Sequence, residues 1–145
     1  MVSAKKMNTT VKPFGKVLII TDGKTEKYPG MLSFKDTSIE VHDIRGADEA
    51  VQGCGVDLIL LDCSVDIEEG IKILKDNKMC CPNIPNIFIT AASHEGVALR
   101  AFRAGARDFF RKPVNIAELQ GTVEKLLSLR KSCREQRSPF MSTLN

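Results

Sequence analysis

Four side chains in this sequence could do chemistry together: Asp22, Asp62, Thr90 and Lys112. Each stands at the end of an apolar run. Val17-Leu18-Ile19-Ile20 leads into Thr21-Asp22-Gly23, Leu58-Ile59-Leu60-Leu61 into Asp62, Ile87-Phe88-Ile89 into Thr90, and Phe109-Phe110 precedes Lys112. Two carboxylates brought close repel unless a proton or a cation lies between them. A hard divalent ion such as Mg²⁺ suits such a pair, because it takes one or two carboxylates and shares a phosphate oxygen. The Lys112 ammonium and the Thr90 hydroxyl can hold the other oxygens of a phosphoryl group. Asp62 would then be a carboxylate nucleophile that forms an acyl phosphate. Taken singly, an acid at a strand end is a turn former or a helix cap. Weight comes only from all four falling on the ends of neighbouring strands.

The elements that must position them can be read from the apolar periodicity. Five extended segments are expected: Val17 to Ile20, Ser38 to His42, Val56 to Asp62, Ile87 to Thr90 and Asp108 to Phe110. Most are apolar without alternation, as in parallel strands buried on both faces. Helical patterns lie between them. Asp66-Ile67-Glu68-Glu69 and Asn115-Ile116-Ala117-Glu118 have the spacing of capping boxes, and Ser93 can cap a helix that Gly105 closes. Ala47 to Gln52 is a short helix candidate. Gly23 to Lys35 is expected to form the first helix, although Pro29-Gly30 interrupts it. Strands alternating with helices imply right-handed crossovers and a doubly wound sheet. The rhythm fits a flavodoxin-like (βα)5 fold, three-layer α/β/α with strand order 2-1-3-4-5, whose ligands sit at the carboxyl ends of the strands. In that order the strands ending at Asp22 and Asp62 are neighbours.

Composition narrows the class. The 145 residues carry a formal charge of +3, with lysine and arginine spread along the chain rather than gathered into the basic stripe of a nucleic-acid binder. No apolar run approaches the length of a spanning helix. Five cysteines at 54, 63, 80, 81 and 133 lack zinc-like pairing, which suggests reduced thiols and a cytoplasmic protein. Residues 1–13 read as a flexible basic arm, 14–130 as the domain, and 131–145 as a tail or linker stub.

Several fragments together resemble the receiver domains of bacterial response regulators, over roughly Gly15 to Leu129. They are Leu60-Leu61-Asp62 followed by Gly70, then Ile89-Thr90-Ala91, then Ala104-Gly105-Ala106-Arg107-Asp108-Phe109 leading into Lys112-Pro113. The resemblance implies that Asp62 is the phosphoacceptor and that Mg²⁺ is held by Asp22, Asp62 and the backbone carbonyl of Ser64. It implies that Thr90 and Lys112 grip the phosphoryl group, that Phe109 is an aromatic switch coupled to Thr90, and that the Lys112–Pro113 bond is cis. Its partners would be a histidine kinase or phosphotransfer protein, and a downstream target or a second copy bound through the fourth helix, fifth strand and fifth helix. From its spread charge and short apolar runs, the domain is expected neither to bind nucleic acid nor to join a membrane; by the resemblance, it would catalyse only its own phosphorylation and dephosphorylation.

The sequence departs from the family pattern in two places. Thr21 stands where such receivers carry a second acid, and Asp66 stands where a proline is usual. Two other readings follow. One is a pseudo-receiver, a scaffold that binds partners around Phe102, Phe109 and Phe110 without phosphorylation. The other is a nucleotide or flavin binder, suggested by Gly23-Lys24-Thr25 after the first strand. A phosphate-binding loop, however, needs a glycine where Leu18 stands.

Overall fold

The computed structural model describes residues 15–23, 25, 27–52, 55–92 and 95–144. Five strands form one parallel sheet: β1 (Gly15–Thr21), β2 (Thr37–Asp43), β3 (Leu58–Asp62), β4 (Asn86–Thr90) and β5 (Asp108–Arg111), in the order β2-β1-β3-β4-β5. Four helices cross it: α1 (Ala47–Gln52), α2 (Ile67–Cys80), α3 (Glu95–Ala104) and α4 (Ile116–Leu144). Sheet order, strand positions and fold class are those expected from the sequence.

β1, β3 and β4 present alternate residues to two cores, as the two-residue period of a strand requires. Leu18, Ile20, Ile59, Leu61 and Phe88 face Ala47 and Val51 of α1, Ile71 and Leu74 of α2, and Val97 and Ala101 of α3. Val17, Ile19, Leu58, Leu60, Ile87 and Ile89 face Leu119, Val123 and Leu126 of α4 together with Tyr28, Leu32 and Phe34. Those last three residues belong to the connection between β1 and β2, which differs from expectation. Among the described residues the helix expected over Gly23 to Lys35 is not formed; they show a 3₁₀ turn at Tyr28–Met31, with Pro29 in its first positions. The reason is reach. The chain must return along the length of a seven-residue strand, about 20 Å at roughly 3.3 Å per residue. A helix rising about 1.5 Å per residue would use about 14 residues. Asp22 to Asp36 offers hardly more than that, with nothing left for the two bends. The described residues instead form bends and turns around that 3₁₀ turn, entering β2 through Asp36 at φ 54°, a left-handed conformation that aspartate tolerates.

α2 and α4 begin as their sequences suggest. The Asp66 carboxylate accepts from the Glu69 N–H at 3.1 Å, and the Asn115 side chain accepts from the Glu118 N–H at 3.0 Å. Ser93, the expected cap of α3, lies outside the described residues. α4 runs on to Leu144, so the backbone of residues 131–144, which composition marked as a tail, is helical. The first half of that stretch includes Lys131, Arg134, Glu135, Gln136 and Arg137, residues that favour a helix. At the amino ends of the strands, buried Asp57 joins three elements. It accepts from the Lys16 N–H at 2.9 Å and pairs with Arg130 Nε of α4 at 3.0 Å, while Arg130 also donates to the Asn83 carbonyl at 2.8 Å.

Gly70 sets how closely α2 approaches the sheet. A Cβ there would lie 2.9 Å from Cys63 Sγ and 2.9 Å from Phe88 Cε1. Alanine would gain about 1 kcal/mol of helix propensity, but overpacking a buried contact costs roughly 1–3 kcal/mol. Gly70→Ala is therefore expected to lower the denaturation midpoint. In a Cys63→Ala background, where one of the two nearest clashes is gone and that with Phe88 remains, the loss should shrink in part; equal losses in both backgrounds would show that Gly70 does not act through the Cys63 sulfur.

Candidate functional site

The carboxyl ends of β1, β3, β4 and β5 bring the four candidates together. Asp62, the last residue of β3, is 1% exposed in its side chain and forms an ion pair with Lys112, whose Nζ lies 2.8 Å from Oδ1 and whose side chain is 7% exposed. Lys112 reaches it from the loop after β5, and its backbone N–H donates to the Thr90 carbonyl at 2.9 Å, tying that loop to β4. The Lys112–Pro113 bond is cis, as expected. Thr90 is fully buried, one residue beyond Ile89, the register partner of Asp62, and its Oγ1 accepts from the Ala92 N–H at 3.1 Å. Phe109 stacks on Phe88 with ring centroids 6.2 Å apart, and its other neighbour, Phe102 of α3, lies at 6.5 Å.

Asp22 follows β1 and its backbone N–H donates to the Asp62 carbonyl at 3.2 Å. Its carboxylate is held by three consecutive backbone N–H groups of the loop between β3 and α2. Ser64 donates to Oδ1 at 3.1 Å, and Val65 and Asp66 donate to Oδ2 at 2.9 and 2.7 Å. Ser64 is thereby brought beside Asp22, while its Oγ accepts from the Ala91 N–H at 2.9 Å and links the loop to β4. Thr21 pairs with Asp62 in the register of β1 and β3, but its hydroxyl turns to its own loop, donating to the Gly23 carbonyl and accepting from the Gly23 N–H, both at 3.1 Å. It adds no charge to the site.

One residue at the site was not anticipated. The Tyr28 hydroxyl donates to Asp62 Oδ2 at 2.6 Å, and the whole residue is buried. Nothing in the residue pattern marked Tyr28. The available signal was the length of the connection, too short for a helix to carry that side chain elsewhere.

Burial raises the Asp62 carboxyl above the ordinary aspartate range, and the Asp22 charge adds to this. The bonds from Lys112 and Tyr28 oppose it without cancelling it. The neighbouring Cys63 thiol is pushed up by burial and by the Asp22 and Asp62 charges, so it stays protonated and is no competing nucleophile. For Mg²⁺ the donors are of the right kind: two carboxylates and the carbonyl of Ser64, all hard oxygens. A carboxylate has about four lone-pair sites, so the bonds to Asp22 leave it able to bind a cation. At Asp62 the competitor is the Tyr28 hydroxyl, which donates a proton to the oxygen that Lys112 does not hold.

Residues 17–124 match the family model described as the response regulator receiver domain. The transcriptional regulatory protein ZraR of Escherichia coli (strain K12) is 38% identical over 84 residues, which are 58% of this chain and 19% of ZraR. The DNA-binding transcriptional regulator NtrC of the same strain is 33% identical over 97 residues, 67% of this chain and 20% of NtrC. The chain thus spans only a small part of the length of these relatives. Among solved structures, a two-component response regulator from Clostridium difficile matches with a TM-score of 0.69 at 26% identity, covering 79% of this chain and 96% of that one. A CheY-like receiver domain protein from Methanospirillum hungatei JF-1 has a TM-score of 0.70 at 20% identity, over 81% and 97% of the two chains, and shares the fold. The chain belongs to the response regulator receiver domain family.

Proposed function

We propose that this domain accepts a phosphoryl group on Asp62 from a histidine kinase or phosphotransfer protein in the cytoplasm, and passes the event to a protein-binding face. The observation that carries this reading is the buried pair of Asp62 and Lys112, 2.8 Å apart, at the convergence of four strand ends. Structural ion pairs are more often exposed. A reactive carboxylate with a fixed cation beside it is what acyl phosphate chemistry needs.

In the transfer, an Asp62 carboxylate oxygen bonds to phosphorus as the bond from phosphorus to the donor's imidazole nitrogen breaks, and the electron pair stays with the imidazole. Such transfers depend mainly on positioning and charge neutralisation. Lys112 supplies a point charge that can move from the carboxylate oxygen to a phosphoryl oxygen. Thr90, whose hydroxyl has a proton to donate, can turn to another. Mg²⁺, held by Asp22, Asp62 and the Ser64 carbonyl, would neutralise negative charge on the phosphoryl oxygens. With Thr21 in place of a second acid, the metal site has one negative charge fewer, which favours weaker Mg²⁺ binding and slower transfer.

The output runs through packing. Inward movement of Thr90 changes the space beside β4, where Phe109 stacks on Phe88 and meets Phe102. Phe102 and Leu99 are about half exposed on α3. The face formed by α3, β5 and α4 corresponds to the one expected of the fourth helix, fifth strand and fifth helix, because no α-helix follows β1 among the described residues. A two-state shift there is what a target, or a second copy, would read.

Acetyl phosphate with Mg²⁺ is expected to add one phosphoryl group to the intact domain, measured by mass, and Asp62→Asn should abolish it. Full labelling of the Asn variant would refute the assignment. Lys112→Ala should still label, but without the amide resonance shifts in α3 and β5 that follow labelling of the wild type. The labelling rate should also depend on pH with a definite sign. The nucleophile is the carboxylate and burial raises its carboxyl, so the rate should fall on acidification at a pH above the roughly 3.9 of a free aspartate. A rate constant down to that value would contradict the environment described for Asp62.

A further inference from the structure

We propose that Tyr28 is a gate on the phosphoacceptor: its hydroxyl occupies Asp62 Oδ2, one of the two carboxylate oxygens that a phosphoryl group and its cation would divide between them, and has to leave before both can bind. This rests on the reading of Asp62 as acceptor. Both carboxylate oxygens are held, Oδ1 by Lys112 at 2.8 Å and Oδ2 by Tyr28 at 2.6 Å, in a side chain 1% exposed to solvent. Lys112 is a cation and can follow negative charge onto a phosphoryl oxygen. A phenol offers the same oxygen only a proton, which competes with a metal ion for its lone pair, and its ring fills the adjoining space.

The gate stands where the fold differs from expectation. Tyr28 opens the 3₁₀ turn that takes the place of a helix between β1 and β2, and the segment beyond it is fastened at two kinds of point. Leu32 and Phe34 are buried under the sheet as anchors. Between them, Ser33 is held by a single side chain of α4: Gln120 accepts from the Ser33 N–H at 3.2 Å and donates to the Ser33 carbonyl at 2.6 Å, while also donating to Glu124 at 2.8 Å. This latch is solvent-exposed and therefore cheap to open. It couples the position of the Tyr28 segment to α4, a helix of the proposed output face. Closure of the acceptor and the state of that face are thus linked, and linkage is reciprocal: a partner that pulls on α4 releases the acceptor, and occupation of the acceptor pushes on α4.

The chain holds one tyrosine and no tryptophan, so intrinsic emission reports Tyr28 alone. A phenol hydrogen-bonded to a carboxylate loses its excited-state proton to it and emits weakly. The unliganded protein should therefore be dim, Asp62→Asn bright, and the wild type should brighten on saturation with Mg²⁺ and beryllofluoride, a phosphoryl mimic. Removing a hydrogen bond to a charged group should also tighten beryllofluoride binding in Tyr28→Phe on the order of tenfold or more, read from amide resonance shifts. Gln120→Ala, which leaves the core intact, should shift affinity in the same direction and serves if Tyr28→Phe does not fold. Binding at wild-type affinity in the variants, with unchanged wild-type emission at saturation, would overturn the gate and leave the acceptor assignment standing. No binding by the wild type or by any variant would overturn the acceptor assignment and the gate with it.

Discussion

The architecture of this domain depends on keeping one carboxylate and one ammonium together out of water. Removing two charges from solvent costs more than their attraction returns unless further bonds hold them and the geometry is fixed. Here the further bonds come from every side of Asp62. Lys112 is held in place by its own backbone bond to Thr90 on β4, and Tyr28 takes the second carboxylate oxygen. Even so, burial outweighs these attractions and leaves the Asp62 carboxyl raised.

The sheet makes that concentration of charge tolerable. Its central strands are apolar on both faces, so their buried polar residues lie at the strand ends: Asp57 and Asn86 at the amino ends, and Asp62 and Thr90 at the carboxyl ends beside Asp22 and Lys112. Asp22 serves the same end indirectly. By accepting from three consecutive N–H groups it fixes the loop that follows Asp62, and Ser64 ties that loop to Ala91 beyond β4. Gly70 lets α2 lie close behind this loop, against Cys63 and Phe88.

Much of this was legible in the sequence, and the parts that were not share a cause. Strand positions and order follow from apolar runs that stop in a polar residue, a local signal with no need of tertiary knowledge. The convergence of Asp22, Asp62, Thr90 and Lys112 follows once the order is known. The cis bond at Pro113 came from the resemblance, not from the residues themselves. What the pattern concealed was set by distance across the molecule. The first helix failed because its connection is too short to return along β1 as a helix with bends at both ends, a constraint visible in the residue count but outside any periodicity. Tyr28 then fell over the strand ends because a short 3₁₀ turn, not a long helix, carries it. Residue types likewise suggested metal binding for Asp22 without disclosing the three amides it already serves. In the same way, α4 continues past Arg130 although the composition there resembles a linker.

The most direct test of the central claim is to reduce the domain with borohydride after exposure to acetyl phosphate and Mg²⁺, and to map the peptides by mass. Reduction converts an aspartyl phosphate to homoserine and leaves free carboxylates untouched. The account predicts homoserine at position 62 and at no other aspartate. Homoserine at another position, or an unmodified Asp62 in a domain that nevertheless carries phosphate, would contradict it.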